Sequence, residues 1–413
     1  MSDQDDLFES DLFDVPAGEA PTRELNETRF PCGQCGAVLH YKIGTSDLQC
    51  HYCGHTNQIN RSLEPIVELD LERALRTLQQ APLVEPVTDV ISCPNCAAEF
   101  ALGAHMHSGE CPFCGTTVVT GTGAVRPIKP KALLPFAITA EQATQSYKKW
   151  LAGRWFAPSG LKEFARDDAP LNGVYIPYWT YDSDTSTAYQ GERGDVYYVT
   201  QMVTVIQNGR RVRQRRRVPK IRWTPVSGRT ARHFDDVLVG ATRTLPRTIT
   251  DWLEPWDLDN LVPYTPEYLS GFNSEVYQVQ LDEGFNVAQA SMDRIIRSDV
   301  ARAIGGDQQR IHRLQTAHSD TTFKHVLLPV WSAAFLFRDK SYRFVVNGRT
   351  GKLKGERPYS RLKIALAVLA GAIVLSAVVY VANESGMTSS FDNGVDVWRT
   401  DTFDTNRWPI GTR

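Results

Sequence analysis

Two C-x-x-C pairs, Cys32-Gly33-Gln34-Cys35 and Cys50-His51-Tyr52-Cys53, stand fourteen residues apart near the start of the sequence. The arrangement returns in Cys93-Pro94-Asn95-Cys96 and Cys111-Pro112-Phe113-Cys114, again with fourteen residues between the pairs. Zinc prefers four soft ligands in a tetrahedron, and each C-x-x-C turn supplies two thiolates from one tight bend. A spacing that occurs twice in one chain therefore predicts two four-cysteine zinc ribbons and two Zn2+ ions per chain.

The two predicted ribbons cover residues 31–60 and 92–120 and use all eight cysteines of the chain. Four thiolates close the coordination sphere of zinc, which favours a structural site over a catalytic one. The alternative for C-x-x-C is a redox dithiol, but that motif usually stands alone on a thioredoxin-type βαβ unit. Histidines also lie beside the ligands in the sequence, and we interpret them as surface residues: His51, His55, His105 and His107.

The composition of the 413 residues gives the chain no global attraction to nucleic acid or acidic lipid, because the net charge is only -2. The N-terminus is acidic and lacks the basic start and apolar stretch of a signal peptide, so we expect the ribbons in the reducing cytosol. The motifs G-x-S-x-G and H-E-x-x-H do not occur, and we expect no enzyme activity.

Residues 1–30 form an acidic tail that we predict to be disordered, because nine acidic residues oppose two arginines and little apolar surface is available to bury. The tail holds a short repeat, Asp6-Leu7-Phe8 and Asp11-Leu12-Phe13. Its four apolar residues are a candidate docking motif for protein partners, the alternative being a solubilising tail with chance similarity: Leu7, Phe8, Leu12 and Phe13.

The rest of the cytosolic chain is predicted to be a mixed α+β domain over residues 125–360, joined to the ribbons by a linker helix within residues 61–91. In the linker, Leu71, Ala74, Leu75 and Leu78 share one helical face. Further signals are a capping box at Thr139 and Gln142, a helix over 286–304 closed by Gly305, and tight hairpin turns at Asn208-Gly209 and Asn347-Gly348.

The α+β domain also shows signs of duplication. Tyr175-Ile176-Pro177-Tyr178-Trp179 is similar to Leu327-Leu328-Pro329-Val330-Trp331, and each follows a predicted helix and leads into an aromatic-rich strand. We predict a pseudo-repeat that forms one sheet. The alternative is coincidence among strand-forming residues.

Residues 364–382 are nineteen consecutive uncharged and mostly apolar residues. As a helix they span roughly 28 Å, close to the hydrocarbon thickness of a bilayer. Basic residues precede this span, whereas the tail of residues 383–413 carries none close to it. The positive-inside rule then predicts a single-pass protein of the bacterial inner (plasma) membrane, with residues 1–363 in the cytosol and the tail outside.

Eight basic residues crowd into residues 210–222, just after the Asn208-Gly209 turn. In an extended strand, alternate residues share a face, so Arg211, Arg213, Arg215 and Arg217 form a basic row while Val212 and Val218 point the other way. Three interpretations remain open for this candidate anionic-ligand surface. It is solvated or paired with acidic residues of the domain, it meets anionic headgroups, or it contacts nucleic-acid phosphates.

Beyond residue 30, nearly the whole chain resembles bacterial membrane-anchored paired zinc-ribbon proteins that carry the label primosomal protein N-prime (replication factor Y), superfamily II helicase-like. Besides the cysteine sets, the resemblance rests on five segments: Leu133-Leu134-Pro135-Phe136, Arg154-Trp155-Phe156-Ala157-Pro158, Tyr175-Ile176-Pro177-Tyr178-Trp179, Arg222-Trp223-Thr224-Pro225 and Phe234-Asp235-Asp236-Val237-Leu238. A helicase needs a G-x-x-x-x-G-K-[ST] loop. The nearest stretch here, Gly348-Arg349-Thr350-Gly351-Lys352-Leu353, has the wrong spacing.

The sequence therefore predicts a zinc-ribbon protein tethered to a bilayer, acting as a scaffold or recruitment factor for protein partners at the cytosolic face. The alternative is a nucleic-acid-binding zinc-ribbon protein related to replication or primosome factors, without helicase activity of its own.

Overall fold

The computed structural model describes Leu12 and residues 30–60, 65–80, 90–92, 99–101, 106–110, 117–119, 128–154, 171–207, 210–337, 340–356 and 359–384. Five α-helices and several β-sheets in these residues confirm a mixed α+β chain. The chain divides into two compact units. The first comprises Met1–Trp150 and Asp168–Glu356, and the second comprises Leu151–Asp167 and Arg357–Arg413.

The elements are short near the N-terminus and long in the centre of the chain. The strands are β1 (Leu39–Tyr41), β2 (Asp47–Cys50), β3 (Thr56–Gln58), β4 (Leu69–Asp70), β5 (Val90–Ser92), β6 (Glu99–Ala101), β7 (Met106–Glu110), β8 (Thr117–Val119), β9 (Ala132–Leu133), β10 (Asn172–Gln207), β11 (Arg210–Gly240), β12 (Val262–Pro263), β13 (Asn273–Glu275), β14 (Gln308–Phe337), β15 (Lys340–Asn347) and β16 (Leu353–Gly355). The helices are α1 (Leu71–Gln80), α2 (Ala140–Ala152), α3 (Arg247–Leu253), α4 (Leu281–Ile304) and α5 (Arg361–Glu384).

The centre of the main sheet is the antiparallel pair of β10 and β14. It brings the two similar segments of the sequence side by side, since Tyr175 lies opposite Pro329 and Tyr178 lies opposite Val326. β11 pairs with β10, β15 pairs with β14, and short strands extend the sheet to eleven strands. The two similar segments therefore lie in one sheet, and their origin by duplication stays a prediction.

Alternation along β10 places a separate apolar core on each face of the sheet. Trp179 and Tyr181 pack in a cluster with α4, whereas Ile176 and Tyr178 pack in a cluster with α3. Trp179 and Tyr181 also form hydrogen bonds with the backbone at the start of α4: Trp179 Nε1 donates to the Val279 carbonyl (2.9 Å), and Tyr181 Oη donates to the Leu281 carbonyl (2.7 Å).

The structure contains the predicted start of α2 and the predicted end of α4, but it does not contain one of the predicted turns. Thr139 and Gln142 form a reciprocal capping box, in which the Thr139 amide donates to Gln142 Oε1 at 2.9 Å. Gly305 ends α4 with a φ of +69°, although α4 begins five residues before the predicted start. At the β15–β16 turn, Gly351 rather than Gly348 adopts positive φ, because the Gly348 amide is held by the Pro329 carbonyl (2.9 Å).

The β10–β11 hairpin continues far beyond the rest of the sheet. β14 supports β10 from Asn172 to Gly194, where Gln308 is the last partner. Thirteen further residue pairs, from Asp195–Arg222 to Gln207–Arg210, join β10 to β11, and no other described strand pairs with them. We call residues 195–207 and 210–222 the arm, and residues 172–194 and 223–240 the base. At ~3.3 Å per residue the arm is about 43 Å long.

The segment before α1 and one residue of the acidic tail pack on the main sheet. β4 pairs with β14, where Leu69 lies opposite Phe323, and the predicted face of α1 is buried through Leu71 and Ala74. Leu12 is fully buried in the same cluster, and its carbonyl accepts a hydrogen bond from the Lys129 amide (2.9 Å). Residues 1–11 and 13–29 of the tail lie outside the described part of the chain.

The second unit contains α5. Within it, Leu362–Val381 is a stretch of 20 residues that is long and apolar enough to cross a membrane. Its apolar side chains are exposed, which suits a segment solvated by lipid. The structure thus supports a membrane span by length and composition.

Candidate metal centre

The first cysteine set lies on a small three-stranded sheet of β1, β2 and β3. Two turns with the same geometry project the cysteines from it. The Gly36 amide donates to the Cys32 carbonyl (2.9 Å), and the Gly54 amide donates to the Cys50 carbonyl (3.0 Å). Both glycines have positive φ, +75° and +74°, a conformation that a side chain disfavours. The glycine after each pair is therefore required by the turn.

The four thiols of this set converge on one point. The Sγ atoms of Cys32, Cys35, Cys50 and Cys53 all lie within 4.8 Å of one another. Cys32 Sγ is 3.6 Å from Cys53 Sγ, and Cys35 Sγ is 3.5 Å from Cys50 Sγ. A tetrahedral zinc with Zn–S bonds of ~2.3 Å separates its sulfurs by about 3.8 Å, whereas a disulfide needs ~2.05 Å. The group fits a metal ion.

Backbone amides favour the thiolate forms that a metal ion needs. The Cys53 amide lies 3.5 Å from Cys50 Sγ, and this hydrogen bond is the main reason that the pKa of the Cys50 thiol falls to about 6. A tight turn that directs amides at sulfur lowers the cost of deprotonating it. The neighbouring histidines are not needed to complete the group, because four sulfurs already meet there.

This cysteine module is fixed to the main sheet of the first unit. The Tyr41 amide donates to the Ser270 carbonyl (3.0 Å), and Ser270 Oγ donates to the Leu39 carbonyl (2.6 Å). The ring of Tyr41 packs edge-on against Tyr268, with centroids 5.1 Å apart. β1 is thereby bound on one side by β2 and on the other by the loop that precedes β13, so the module has a defined orientation on the domain.

A cavity of about 560 Å³ lies where the module meets the sheet. His40 and His51 line it from the module, with their rings 4.7 Å apart, Phe272 lines it from the loop before β13, and Trp331 lines it from β14. The cavity is part of the contact between the module and the domain. Its aromatic lining lies next to His51, the residue that follows Cys50.

The second cysteine set lies outside the described residues. Its flanking strands are described: β5 and β6 bracket Cys93 and Cys96 in the sequence, and β7 and β8 bracket Cys111 and Cys114. Both strand pairs are antiparallel hairpins. The second zinc site therefore stays a prediction.

The predicted basic row lies on the arm. The register of β11 against β10 places Arg211, Arg213, Arg215 and Arg217 on one face, opposite Ile206, Thr204, Met202 and Thr200. Val212 and Val218 lie on the other face, as expected. The Arg217 guanidinium stands over the Tyr198 ring at 5.2 Å. Within the described residues, no carboxylate pairs with any of the four arginines.

Sequence reasoning missed a buried ion cluster in the base. Lys324 Nζ lies 2.8 Å from Asp236 Oδ1, 2.9 Å from Glu68 Oε1 and 3.8 Å from Asp182 Oδ2. Burial, with a hydrogen bond shared with Glu68, raises the pKa of Asp182 to about 6. Asp182, Asp235 and Asp236 are close enough together to hold a cation, and the Lys324 ammonium already supplies one. A lysine within an apolar strand was the available sequence signal.

The candidate docking motif of the tail is partly assigned. Leu12 is buried in the core of the first unit, so in this conformation its side chain is taken up within the chain itself. Leu7, Phe8 and Phe13 lie outside the described residues.

Comparison with known proteins assigns no activity. The chain is 25% identical over 247 residues to "Uncharacterized protein YdjG" of Bacillus subtilis (strain 168), a match that covers 58% of this chain and 66% of the relative. No protein-family model matches the sequence, and no solved structure matches it.

Proposed function

We propose that the protein is a membrane-anchored zinc protein that recruits or scaffolds protein partners at the cytosolic face of a bacterial membrane. Two Zn2+ ions per chain hold two zinc ribbons, the first through Cys32, Cys35, Cys50 and Cys53 and the second through the other four cysteines. The work is binding rather than catalysis, because zinc with four thiolate ligands has no open position for water or substrate.

The observation that carries the proposal is the closed four-cysteine group fixed on a domain whose chain continues into an apolar helix. The Tyr41–Ser270 and Ser270–Leu39 hydrogen bonds give the module one orientation. The tip of its second turn then presents Tyr52, which is 86% exposed. Exposed aromatic residues on a rigid support are frequent anchors of protein interfaces. A membrane span, α5 in this proposal, keeps that surface at the bilayer.

The topology of the proposal follows from charge. Basic residues precede the apolar span and acidic ones predominate after it, so residues 1–363 lie in the cytosol and the tail lies outside. Contact with partners through Leu7, Phe8 and Phe13 of the tail is a further part of this proposal.

The second candidate function is nucleic-acid binding at the membrane, as in replication factors that use zinc ribbons. The observation in its favour is the arginine row of the arm, since arginines on an exposed ribbon can contact phosphates. The helicase label of the similar proteins does not extend to this proposal.

The two functions are separated by capture of partners on the full-length, detergent-solubilised protein, with and without nuclease. We expect partners that survive nuclease treatment, are lost in Tyr52→Ala and are retained in Tyr198→Ala, a matched change at an exposed tyrosine of the arm. Metal analysis of the same samples should give two zinc equivalents for the parent and for Tyr52→Ala, and one for Cys50→Ser.

Three results count against the proposal. Loss of every partner with nuclease favours the nucleic-acid function. Partners that bind Tyr52→Ala and Cys50→Ser as well as the parent show that the module is not the recruiting surface. Iron in place of zinc, or a single equivalent in the parent, overturns the assignment of the two ribbons.

A further inference from the structure

The arm differs from the rest of the molecule in charge. Residues 196–222 contain eight basic side chains and no acidic one. The structure arranges this stretch as a two-stranded ribbon, and among the described strands none pairs with β10 or β11 beyond Gly194. An isolated two-stranded ribbon is marginally stable in water, so a long one is expected to gain stability from what it binds.

The two faces of the arm carry the same number of cations in different settings. On one face, Arg211, Arg213, Arg215 and Arg217 follow one another without interruption over about 20 Å. The other face carries four cations that Val212, Gln214 and Val218 interrupt along β11: Arg210, Arg216, Lys220 and Arg222. We call the first face the arginine face.

Two arginines of the base have acidic partners, whereas in the part of the chain that the structure describes the arginine face has none. Arg193 pairs with Asp195 at 2.9 Å, and Arg232 pairs with Asp299 at 2.6 Å. Within the described chain, no carboxylate lies within salt-bridge distance of the arginine face. The interpretation in which the row neutralises acidic residues of its own domain therefore loses support, and the charge is available to an external anion.

Large amphipathic side chains project from the arginine face. Tyr198, opposite Pro219, and Met202, opposite Arg215, are each 59% exposed. A tyrosine with an apolar ring and a polar tip suits the boundary between headgroups and acyl chains. Arginines interleaved with such residues form a surface that combines charge attraction with shallow apolar burial.

We propose that the arginine face binds the anionic headgroups of the membrane that anchors the chain. The inference rests on the proposed membrane attachment. Only five residues separate β16 from α5, so the tether keeps the arm at a high effective concentration of lipid surface. The cytosolic leaflet is negatively charged and attracts basic segments. A nucleic acid must instead be recruited from solution, and it gains nothing from an exposed methionine.

The test is hydrogen–deuterium exchange of the full-length protein reconstituted in lipid discs. One set of discs contains phosphatidylcholine alone, and the other contains equal parts of phosphatidylcholine and phosphatidylglycerol. We expect the arm amides to exchange on the order of tenfold more slowly in the anionic discs at physiological salt. High salt should remove the difference, because it screens charges near the surface.

Two variants with the same charge change locate the binding face. The first replaces Arg211, Arg213, Arg215 and Arg217 with Gln, and the second replaces Arg210, Arg216, Lys220 and Arg222 with Gln. The first should lose the slowing in anionic discs. The second should keep most of it, because its charges lie across the thickness of the ribbon, about a Debye length further from the lipid. Unchanged exchange in α4 shows that both variants are folded.

Three outcomes overturn the inference: equal exchange in the two kinds of disc, equal loss in the two variants, or slowing by DNA or RNA in neutral discs that matches the slowing by anionic lipid. The last assigns the face to nucleic acid. None of these readings depends on partner capture, so the recruiting function can stand while the lipid inference fails. Failure of the chain to stay in the discs at alkaline pH instead removes the membrane anchor, and with it the proposed function.

Discussion

The base and the arm of the β10–β11 hairpin are built on one continuous pair of strands, yet they differ in what their side chains do. In the base, β14 and helices on both faces enclose Tyr178, Trp179 and Tyr181, each of which is at most 1% exposed. In the arm, hydrogen bonding between the strands continues in unbroken register, but the side chains are exposed. The pairing of two strands therefore does not by itself determine whether their side chains are buried or exposed.

The boundary between the base and the arm lies where β14 stops pairing with β10. Gly194 is the last residue of β10 with a partner on β14, and Asp307 ends the support by accepting a hydrogen bond from the Val196 amide (2.7 Å). The base contains seven aromatic residues and three arginines, whereas the arm contains two aromatic residues and seven arginines. Burial stabilises aromatic side chains in the base, whereas no carboxylate of the described chain forms a salt bridge with any of the eight cations in the arm.

The largest effect should come from truncating the core of the base. Trp179→Ala removes a fully buried ring and leaves the Val279 carbonyl without its indole donor. We expect a loss of about 3–5 kcal/mol in the free energy of unfolding. Tyr198→Ala, the matched aromatic truncation in the arm, should change it by less than about 0.5 kcal/mol. Urea titrations of the full chain in detergent, followed by circular dichroism, measure both, and similar losses would break the comparison.

A second effect should come from the same chemical change at a paired and an unpaired cation. The Lys324 side chain is only 8% exposed, and its ammonium is the one cation within 4.0 Å of the three carboxylates Asp236, Glu68 and Asp182 in the described chain. Lys324→Met leaves those charges uncompensated, and we expect a loss of about 3 kcal/mol. Arg215→Met in the arm should cost almost nothing, because no carboxylate of the described chain depends on it. The same urea titrations decide, and a stable Lys324→Met variant would show that the cluster is dispensable.

Local features of the fold could be predicted from the sequence. The Thr139–Gln142 capping box, the Gly305 helix end and the alternation of Arg211 to Arg217 each depend on residues close in the chain, and the structure contains all three. The first four-cysteine group likewise follows from ligand spacing, because the C-x-x-C turn has few geometries.

Features that depend on distant residues could not be predicted. Glu68 meets Lys324 across 256 positions of sequence, and neither position carries a local signal for the other. Leu12 lies in an acidic tail, and the groove that buries it exists only after β4, α1 and β14 have come together. The sequence predicted the hairpin that contains the arm. The point at which β14 stops pairing with β10 depends on the length of β14, and the sequence of the hairpin carries no signal for that length. The prediction of a tight turn at Asn347-Gly348 was wrong, because the Gly348 amide donates a hydrogen bond to the distant Pro329 carbonyl.

The smallest effect should come from the arginine face itself, and its sign is the informative part. Neighbouring charges along the face are separated by about 7 Å, and in water such a pair repels by roughly 0.6 kcal/mol before screening. Salt at ~0.15 M screens over about 8 Å and reduces this further. Replacing Arg211, Arg213, Arg215 and Arg217 with Gln should therefore stabilise the isolated arm by a few tenths of a kcal/mol, and more at low salt.

Exchange of the arm amides in neutral lipid discs, measured across a series of salt concentrations, detects this relief. The parent arm should exchange more slowly as salt rises, since its repulsion is screened, whereas the Gln variant should show little dependence on salt. In anionic discs the dependence of the parent should reverse, because salt there weakens attraction to headgroups. Exchange in the base should be the same in both proteins at every salt concentration. A variant arm that frays faster than the parent in neutral discs would mean that the arginines stabilise the ribbon, and the division between a structural base and a binding arm would then be wrong.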